Sequence, residues 1–372
     1  MATYIHERKS WPQFRWNQAA IVAPLAEARH RQGRLIGRMQ ALGFPLRDEA
    51  VLYTLTEDVL KSSEIEGDRL DKEQVRSSVA RRLGLDIGGL LPADRHVEGV
   101  VDMMLDATQN YADPLTAGRL FGWQAALFPT GRSGLRKITV GAWRRDESGP
   151  MEVVSGPIGR ERVHYRAPPA RHLSREMQAF LHWFDKKERG LDPVLKAAIA
   201  HLWFVTIHPF DDGNGRIARA IADMALARSE ASPQRFYSMS AQIRVERNRY
   251  YEILEATQKG GLDISDWLEW FLACLDRAFS GAEGILEIVL RKADFWRKHA
   301  TTELNPRQRG MLNRLLDGFT GKLTSSKWAK IEKCSTDTAL RDIADLVDRH
   351  ILQKDAAGGR STSYSLADSV TC

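Results

Sequence analysis

The stretch Ile207-His208-Pro209-Phe210-Asp211-Asp212-Gly213-Asn214-Gly215-Arg216-Ile217-Ala218-Arg219 decides how this chain is read. An apolar helical run ends near Thr206. A loop then presents one histidine and a carboxylate, a Gly-Asn-Gly turn follows, and a second helix begins. Glycines let backbone amides approach an anion closely, and a helix N-terminus adds unpaired N–H donors and a favourable dipole. Arg216 and Arg219 are three residues apart and share one helical face, so two guanidinium forks converge on one polyphosphate. Asp212 is a hard oxygen ligand suited to Mg²⁺. His208 titrates in the range that suits a general base. Together these residues read as one nucleotide site. Neither GxxxxGK[ST] nor GxGxxG occurs, so a P-loop or a dinucleotide-binding turn is not the explanation.

Around this stretch almost every periodic segment reads as helix. Helices are expected over 25–42, 48–63, 71–83, 94–111, 116–128, 172–187 and 192–206, most of them opened by an N-cap residue or a first-turn proline. Trp143 to Ala167 differs: two β-prone runs flank Ser-Gly-Pro-Ile-Gly and read as a hairpin, either a functional flap or a contact between two copies in a homodimer. After Pro306 three further helices are expected at 307–316, 325–332 and 335–349. Ile351-Leu352, Gly358-Gly359 and 362–366 then suggest a wing, so residues 302–372 read as a winged helix-turn-helix module. Those residues hold 11 Lys and Arg against 9 Asp and Glu, a net of +2, which does not favour DNA as the partner.

Length and composition set wider bounds. A chain of 372 residues suggests two or three packed units, and 43% hydrophobic with 27% charged residues is ordinary for a soluble protein. The net charge of +6 suits a phosphate-bearing ligand without requiring one. Cys274, Cys334 and Cys372 lie far apart and form no CxxC pair, so neither a disulfide framework nor a structural zinc is expected. No secretory leader or bilayer-spanning run is read, and the cytoplasm is the expected compartment, with no membrane partner.

The motif resembles the signature of the Fic (filamentation induced by cAMP) family, HPFx[D/E]GNGRxxR, and matches it at every defined position. The resemblance implies a mainly α fold with a Fic-type core, here over 94–285, and a flap hairpin at about 143–167. It also implies AMP transfer from ATP to a Ser, Thr or Tyr hydroxyl of a target protein. Carried over by position, His208 is the base and Phe210 an apolar anchor beneath the loop. Asp212 holds Mg²⁺, Gly213, Asn214 and Gly215 cradle phosphates, Arg216 grips the phosphate chain and Arg219 the γ-phosphate. Val153, Val154, Ser155 and Gly156 are the expected flap backbone, which pairs with an extended segment of the target. Tyr250 and Gln258 are the expected adenine contacts.

Ser62-Ser63-Glu64-Ile65-Glu66-Gly67 resembles the family's inhibitory motif [S/T]xxxE[G/N], with Ser62, Glu66 and Gly67 at its defined positions. It lies upstream of the core, as in the family's class II arrangement, on a helix of about 48–66 within an N-terminal helical domain of 1–93. Glu66 is expected to pair with Arg219 and displace the γ-phosphate. Other outcomes keep the same fold: removal of AMP, transfer of another phosphate-containing moiety, or a DNA-binding regulator in which the cradle senses a nucleotide.

Overall fold

The structure is a computed structural model that describes residues 4–85, 90–147, 149–157, 160–186, 190–319, 321–355 and 362–367, with the side chains of residues 44 and 45 left aside. Fourteen helices and six short strands are found among them. In chain order the helices are α1 (Gln18–Gln40), α2 (Phe44–Ile65), α3 (Lys72–Leu83), α4 (Arg95–Gln109), α5 (Ala117–Leu127), α6 (Leu173–Asp185), α7 (Pro193–Ile207), α8 (Asn214–Glu230), α9 (Met239–Val245), α10 (Arg247–Gln258), α11 (Ser265–Lys298), α12 (Pro306–Leu316), α13 (Ser325–Ile331) and α14 (Thr336–Asp348). Three antiparallel pairs hold the strands: β1 (Arg132–Ser133) with β2 (Arg136–Lys137), β3 (Glu152–Ser155) with β4 (Arg162–Arg166), and β5 (Leu352–Lys354) with β6 (Tyr364–Leu366). The fold is mainly α.

The chain divides into two compact units. The first comprises 1–42, 51–85 and 91–283. Its centre is α7, in which every residue except Pro193 and Lys196 is buried. Asp192 caps it by accepting from the Val194 amide at 2.7 Å, and Pro193 fills the first turn, where its missing N–H costs nothing. α7 packs along α8, and α4 packs against α3, α5 and α8. The aromatic residues near the N-terminus are packing elements: Trp11 and Phe14 meet Trp203 edge-on at 6.3 and 5.9 Å between ring centroids. The N-terminal residues expected to form a separate domain lie within this first unit, because α1, α3 and most of α2 bury their apolar faces there.

The second unit comprises 43–50, 86–90 and 284–372. Phe295, Met311, Leu312, Trp328, Ile343 and Leu346 form its core beneath α12, α13, α14 and the β5–β6 pair. Asn305 caps α12 in a reciprocal box with Gln308, at 2.9 and 3.0 Å. Lys292 joins Glu49 at 2.7 Å and Asp317 at 2.8 Å within the unit. Gly358 and Gly359, expected at the tip of a wing, lie outside the described residues. No helix among the described residues is long and apolar enough to cross a membrane.

The β-prone runs at 151–154 and 162–166 form strands at 152–155 and 162–166, with a register shift between Val153 and Val154, while 143–147 forms no strand. There Arg144 is a buried guanidinium whose hydrogen bonds go to backbone carbonyls and Asp146. In addition β1 and β2 form a second small hairpin that no periodicity announces.

Candidate active site

The site is built where α7 stops. His208 caps α7 with φ 52° and ψ 58°, a left-handed conformation that is costly for a residue with a side chain. The surroundings over-determine it. Arg144 Nε donates to the His208 carbonyl at 2.8 Å, the Arg144 amide donates to the Pro209 carbonyl at 2.9 Å, and Phe210 is fully buried against Phe204, Phe121 and Trp143. Arg144 was not visible as a site residue in the sequence. An arginine that supports a loop from 64 positions away leaves no local pattern.

His208 Nδ1 lies 3.3 Å from the Val205 carbonyl. A carbonyl only accepts, so the proton is assigned to Nδ1 and the lone pair to Nε2. Burial pushes the imidazole down to about 4, so it is neutral at pH 7. A neutral ring with a free lone pair is the state a general base requires.

Beyond the loop, Gly213 (φ 88°) turns the chain into α8. A methyl group at position 213 would meet the Phe128 ring at 3.0 Å and a Leu127 methyl at 3.1 Å, and the φ itself disfavours a side chain. Asn214 also has a structural part. Its side chain accepts from the Phe210 amide at 3.0 Å and donates one N–H to the Phe210 carbonyl at 2.8 Å, so it staples the loop and keeps one N–H of its amide. Asp211, the undefined position of the motif, accepts from the Thr139 amide at 2.8 Å.

Asp212 accepts from the Gly213 amide at 2.6 Å and from the Ser133 hydroxyl on β1. Each oxygen retains a second lone pair, so the carboxylate fits a role as one hard ligand to Mg²⁺. No cluster of three or more His, Cys, Asp or Glu that could hold a metal occurs among the described residues. The remaining ligands would have to be phosphate oxygens and water, which is the usual way Mg²⁺ is held beside a nucleotide.

Arg216 and Arg219 of α8 are both buried. Arg219 Nε donates to Ser62 Oγ at 3.0 Å, and its second amine donates to the Ser62 carbonyl at 2.9 Å and to Glu66 Oε1 at 2.8 Å. The third nitrogen of Arg219 and Nε of Arg216 are buried without a hydrogen-bond partner among the described residues. Buried orphan donors of this kind are costly and mark a place where an anion completes the set. Arg216 stands 5.1 Å over the Phe128 ring and 3.6 Å from Asp68, which in turn holds His96 at 2.5 Å.

Glu66 occupies the crowded point. A methyl group at position 215 would lie 2.3 Å from Glu66 Oε1 and 3.3 Å from the free Arg219 nitrogen. The carboxylate thus sits over the first turn of α8, where the dipole and the unpaired amides favour negative charge. Gly67 follows with φ 86°, a conformation that favours glycine.

Both residues expected at the adenine are buried. Tyr250 is a core residue: its ring is 1% exposed, packs against Trp267 and Trp270, and its hydroxyl lies 2.9 Å from His201 Nε2. No face is left for a base. Gln258 is also buried and donates to Thr206 Oγ1 at 3.3 Å. The half-buried ring of the pair is Tyr251, beneath the Arg247 guanidinium at 5.1 Å. Here Tyr250 faces the core and Tyr251 lies about 100° further round α10, and the sequence offers no means of choosing between them.

In the hairpin, Val153 packs toward Tyr4 and Tyr165, whereas Val154, Ser155 and Gly156 are exposed. Glu255 of α10 tethers the far strand through His164 at 2.6 Å and Arg162 at 3.0 Å, and His164 also meets Ser155 Oγ at 2.6 Å.

Residues 114–226 match the model of the Fic/DOC family, and residues 4–85 match a domain of unknown function (DUF4172). The chain is similar to proteins named protein adenylyltransferase Fic. It is 26% identical to that of Drosophila mojavensis and 28% to that of Aedes aegypti, each over 217 residues that cover 57% of this chain and 38% of the relative. A third, from Nematostella vectensis, is 36% identical over 119 residues, 31% of this chain and 26% of the relative. The chain therefore spans well under half the length of these relatives. Two solved structures share the fold. A Fic family protein from Desulfovibrio desulfuricans G20 aligns with a TM-score of 0.53 and 21% identity over 95% of this chain and 97% of its own. A Fic domain containing signaling protein from Bacteroides thetaiotaomicron aligns at 0.51 and 19% over 70% and 98%.

Proposed function

Since the chain carries a Fic/DOC family domain over residues 114–226, we propose that it transfers AMP from ATP to a hydroxyl side chain of a protein, itself included, and that Glu66 holds this activity in check. One observation carries the reading. The residue 2.8 Å from the α8 arginine, over the first turn of that helix, is a carboxylate supplied by another helix, and it stands where an anion belongs.

The reaction follows from the atoms. His208 Nε2 takes the proton of the incoming hydroxyl. Its oxygen attacks the α-phosphorus, the bond to the β-phosphate oxygen breaks, and pyrophosphate leaves. Asp212 would hold Mg²⁺, which neutralises charge on the phosphates when bound. The first amides of α8 and the orphan donors of Arg216 and Arg219 would take the phosphate oxygens. In the resting state Glu66 and Ser62 hold two of the three Arg219 nitrogens, so the phosphates seat out of line, and a misplacement of about 1 Å costs on the order of 100-fold in rate. The exposed edge at Val154 and Ser155 would receive the target as an added strand. The three-helix module at 306–366 is read as a docking or pairing element.

The test is self-modification with labelled ATP and Mg²⁺. Glu66→Gly is expected to raise it, and His208→Ala in that background to abolish it. An unchanged rate in Glu66→Gly removes the inhibition, and transfer that persists without His208 removes the base.

A further inference from the structure

Away from the His208 loop, positive charge concentrates around one cavity of about 870 Å³ beside the end of α2. Arg69, Arg244, Arg247 and Arg249 line it together with Glu64 and Glu246. Both carboxylates are already matched. Glu64 meets Lys61 at 3.0 Å and Arg244 at 3.4 Å, and Glu246 takes both forks of Arg277 at 2.6 and 2.5 Å. Arg69 has no hydrogen-bond or ion-pair partner among the described residues. Arg249 has only an exposed contact with Glu252 at 3.5 Å. A cavity of this volume with several guanidinium forks is sized and charged for a compact polyanion.

Two of these arginines also hold the end of α2. Arg247 Nε donates to the Ile65 carbonyl at 2.7 Å, and Arg244 reaches Glu64. The Ile65 carbonyl belongs to the last turn of the helix, whose carbonyls lack intrahelical partners, and the next residue is Glu66. The same guanidinium groups therefore face the cavity and pin the backbone that presents Glu66 to Arg219.

We propose that this cavity binds a small polyphosphate anion and that its occupation frees Glu66 from Arg219. The proposal rests on the reading of Glu66 as an inhibitory residue. Bonds from guanidinium to phosphate are charge-assisted and bidentate, whereas Arg247 now holds a neutral carbonyl. An anion in the cavity draws Arg247 from Ile65 and Arg244 from Glu64. The end of α2 loses two restraints, and the equilibrium moves toward the state in which Arg219 is available. Linkage requires the converse, so a nucleotide seated on Arg219 tightens binding in the cavity.

The probe is inorganic tripolyphosphate, titrated calorimetrically into the full chain without divalent cation. It is compared with Arg69→Ser/Arg249→Ser and with Arg145→Ser/Arg175→Ser, which removes the same charge from exposed residues elsewhere. Binding to the His208 loop is common to all three and cancels. The first variant is expected to lose about tenfold or more in affinity and the second to bind like the parent. Hydrogen exchange of amides 62–67 is expected to quicken on addition of the anion in the parent and to stay unchanged in Arg69→Ser/Arg249→Ser. Equal weakening in both variants, equal binding in all three proteins, or slowed exchange at 62–67 overturns the proposal. Neither readout uses AMP transfer. A chain that binds and loosens without ever modifying itself keeps this site and refutes the enzymatic reading. A chain activated by Glu66→Gly that shows no such site does the reverse.

Discussion

Gly215→Ala separates two reasons for a glycine in the first turn of α8. The added methyl carbon would stand 2.3 Å from Glu66 Oε1, 3.1 Å from its Cδ and 3.3 Å from the unpaired Arg219 nitrogen. The first distance cannot persist. Glu66 is the far end of a flexible side chain, 32% exposed, so it swings into water rather than forcing α8 to move. What is lost is one charge-assisted hydrogen bond, about 1.5–3 kcal/mol and nearer the lower figure for a partly exposed partner. What is gained is helix propensity, about 1 kcal/mol for alanine over glycine. The fold should therefore weaken by only ~0.5–2 kcal/mol, measured by urea denaturation. Activity distinguishes the reasons. If phosphates seat on this turn, the methyl blocks them even though Glu66 has left, and self-modification stays at the level of His208→Ala. The double variant Glu66→Gly/Gly215→Ala should be equally silent. If Gly215→Ala instead rises to the rate of Glu66→Gly, the glycine serves only to admit Glu66, and the proposed phosphate position is wrong.

Other consequences can be measured on the folded chain. Burial holds His208 at about 4, and burial together with the Arg219 charge holds His201 at about 3. Below the ordinary histidine value near 6.5 the unfolded chain therefore binds protons that the folded chain does not. Stability should fall as pH drops from about 6.5 toward 4, by up to ~1.4 kcal/mol per pH unit for each histidine. Denaturation at pH 7, 6 and 5 should show His208→Ala with a slope shallower by up to ~1.4 kcal/mol per pH unit; an identical slope would mean that the ring is not held neutral. Asn214→Ala leaves the buried Phe210 amide and carbonyl without partners, at about 1–3 kcal/mol each, and should destabilise the chain as well as silence it. A loss of transfer in Asn214→Ala with unchanged denaturation would return Asn214 to the phosphates.

Much of the helical layout was legible in the sequence because its signals are local. Asp71, Asp94, Thr116, Asp192 and Ser335 each cap the helix that follows them, and a cap needs only the next two or three residues. Boundaries slipped where packing overrode local chemistry. α1 begins at Gln18, seven residues before its apolar periodicity suggested, and carries Pro24 inside it. The path of 143–147 depends on Arg144 finding the carbonyls of Pro168 and His208, partners 24 and 64 positions away that no local pattern announces.

The site divides in the same way. The order His208, Phe210, Asp212, Gly213, Gly215, Arg216, Arg219 determines by itself that a loop enters a helix with glycines at its mouth and two cations on one face, because all of this is fixed by spacing along one segment. The Glu66–Arg219 pair, 153 positions apart, was reachable from the sequence only through the family resemblance, and only the tertiary structure decides that Tyr250 turns inward while Tyr251 does not, and that Arg144 and Ser133 brace the loop. The reason is physical. Backbone conformation and helical phase depend on near neighbours, whereas the partner of a buried charge is whichever group the packing of distant helices brings within three ångströms.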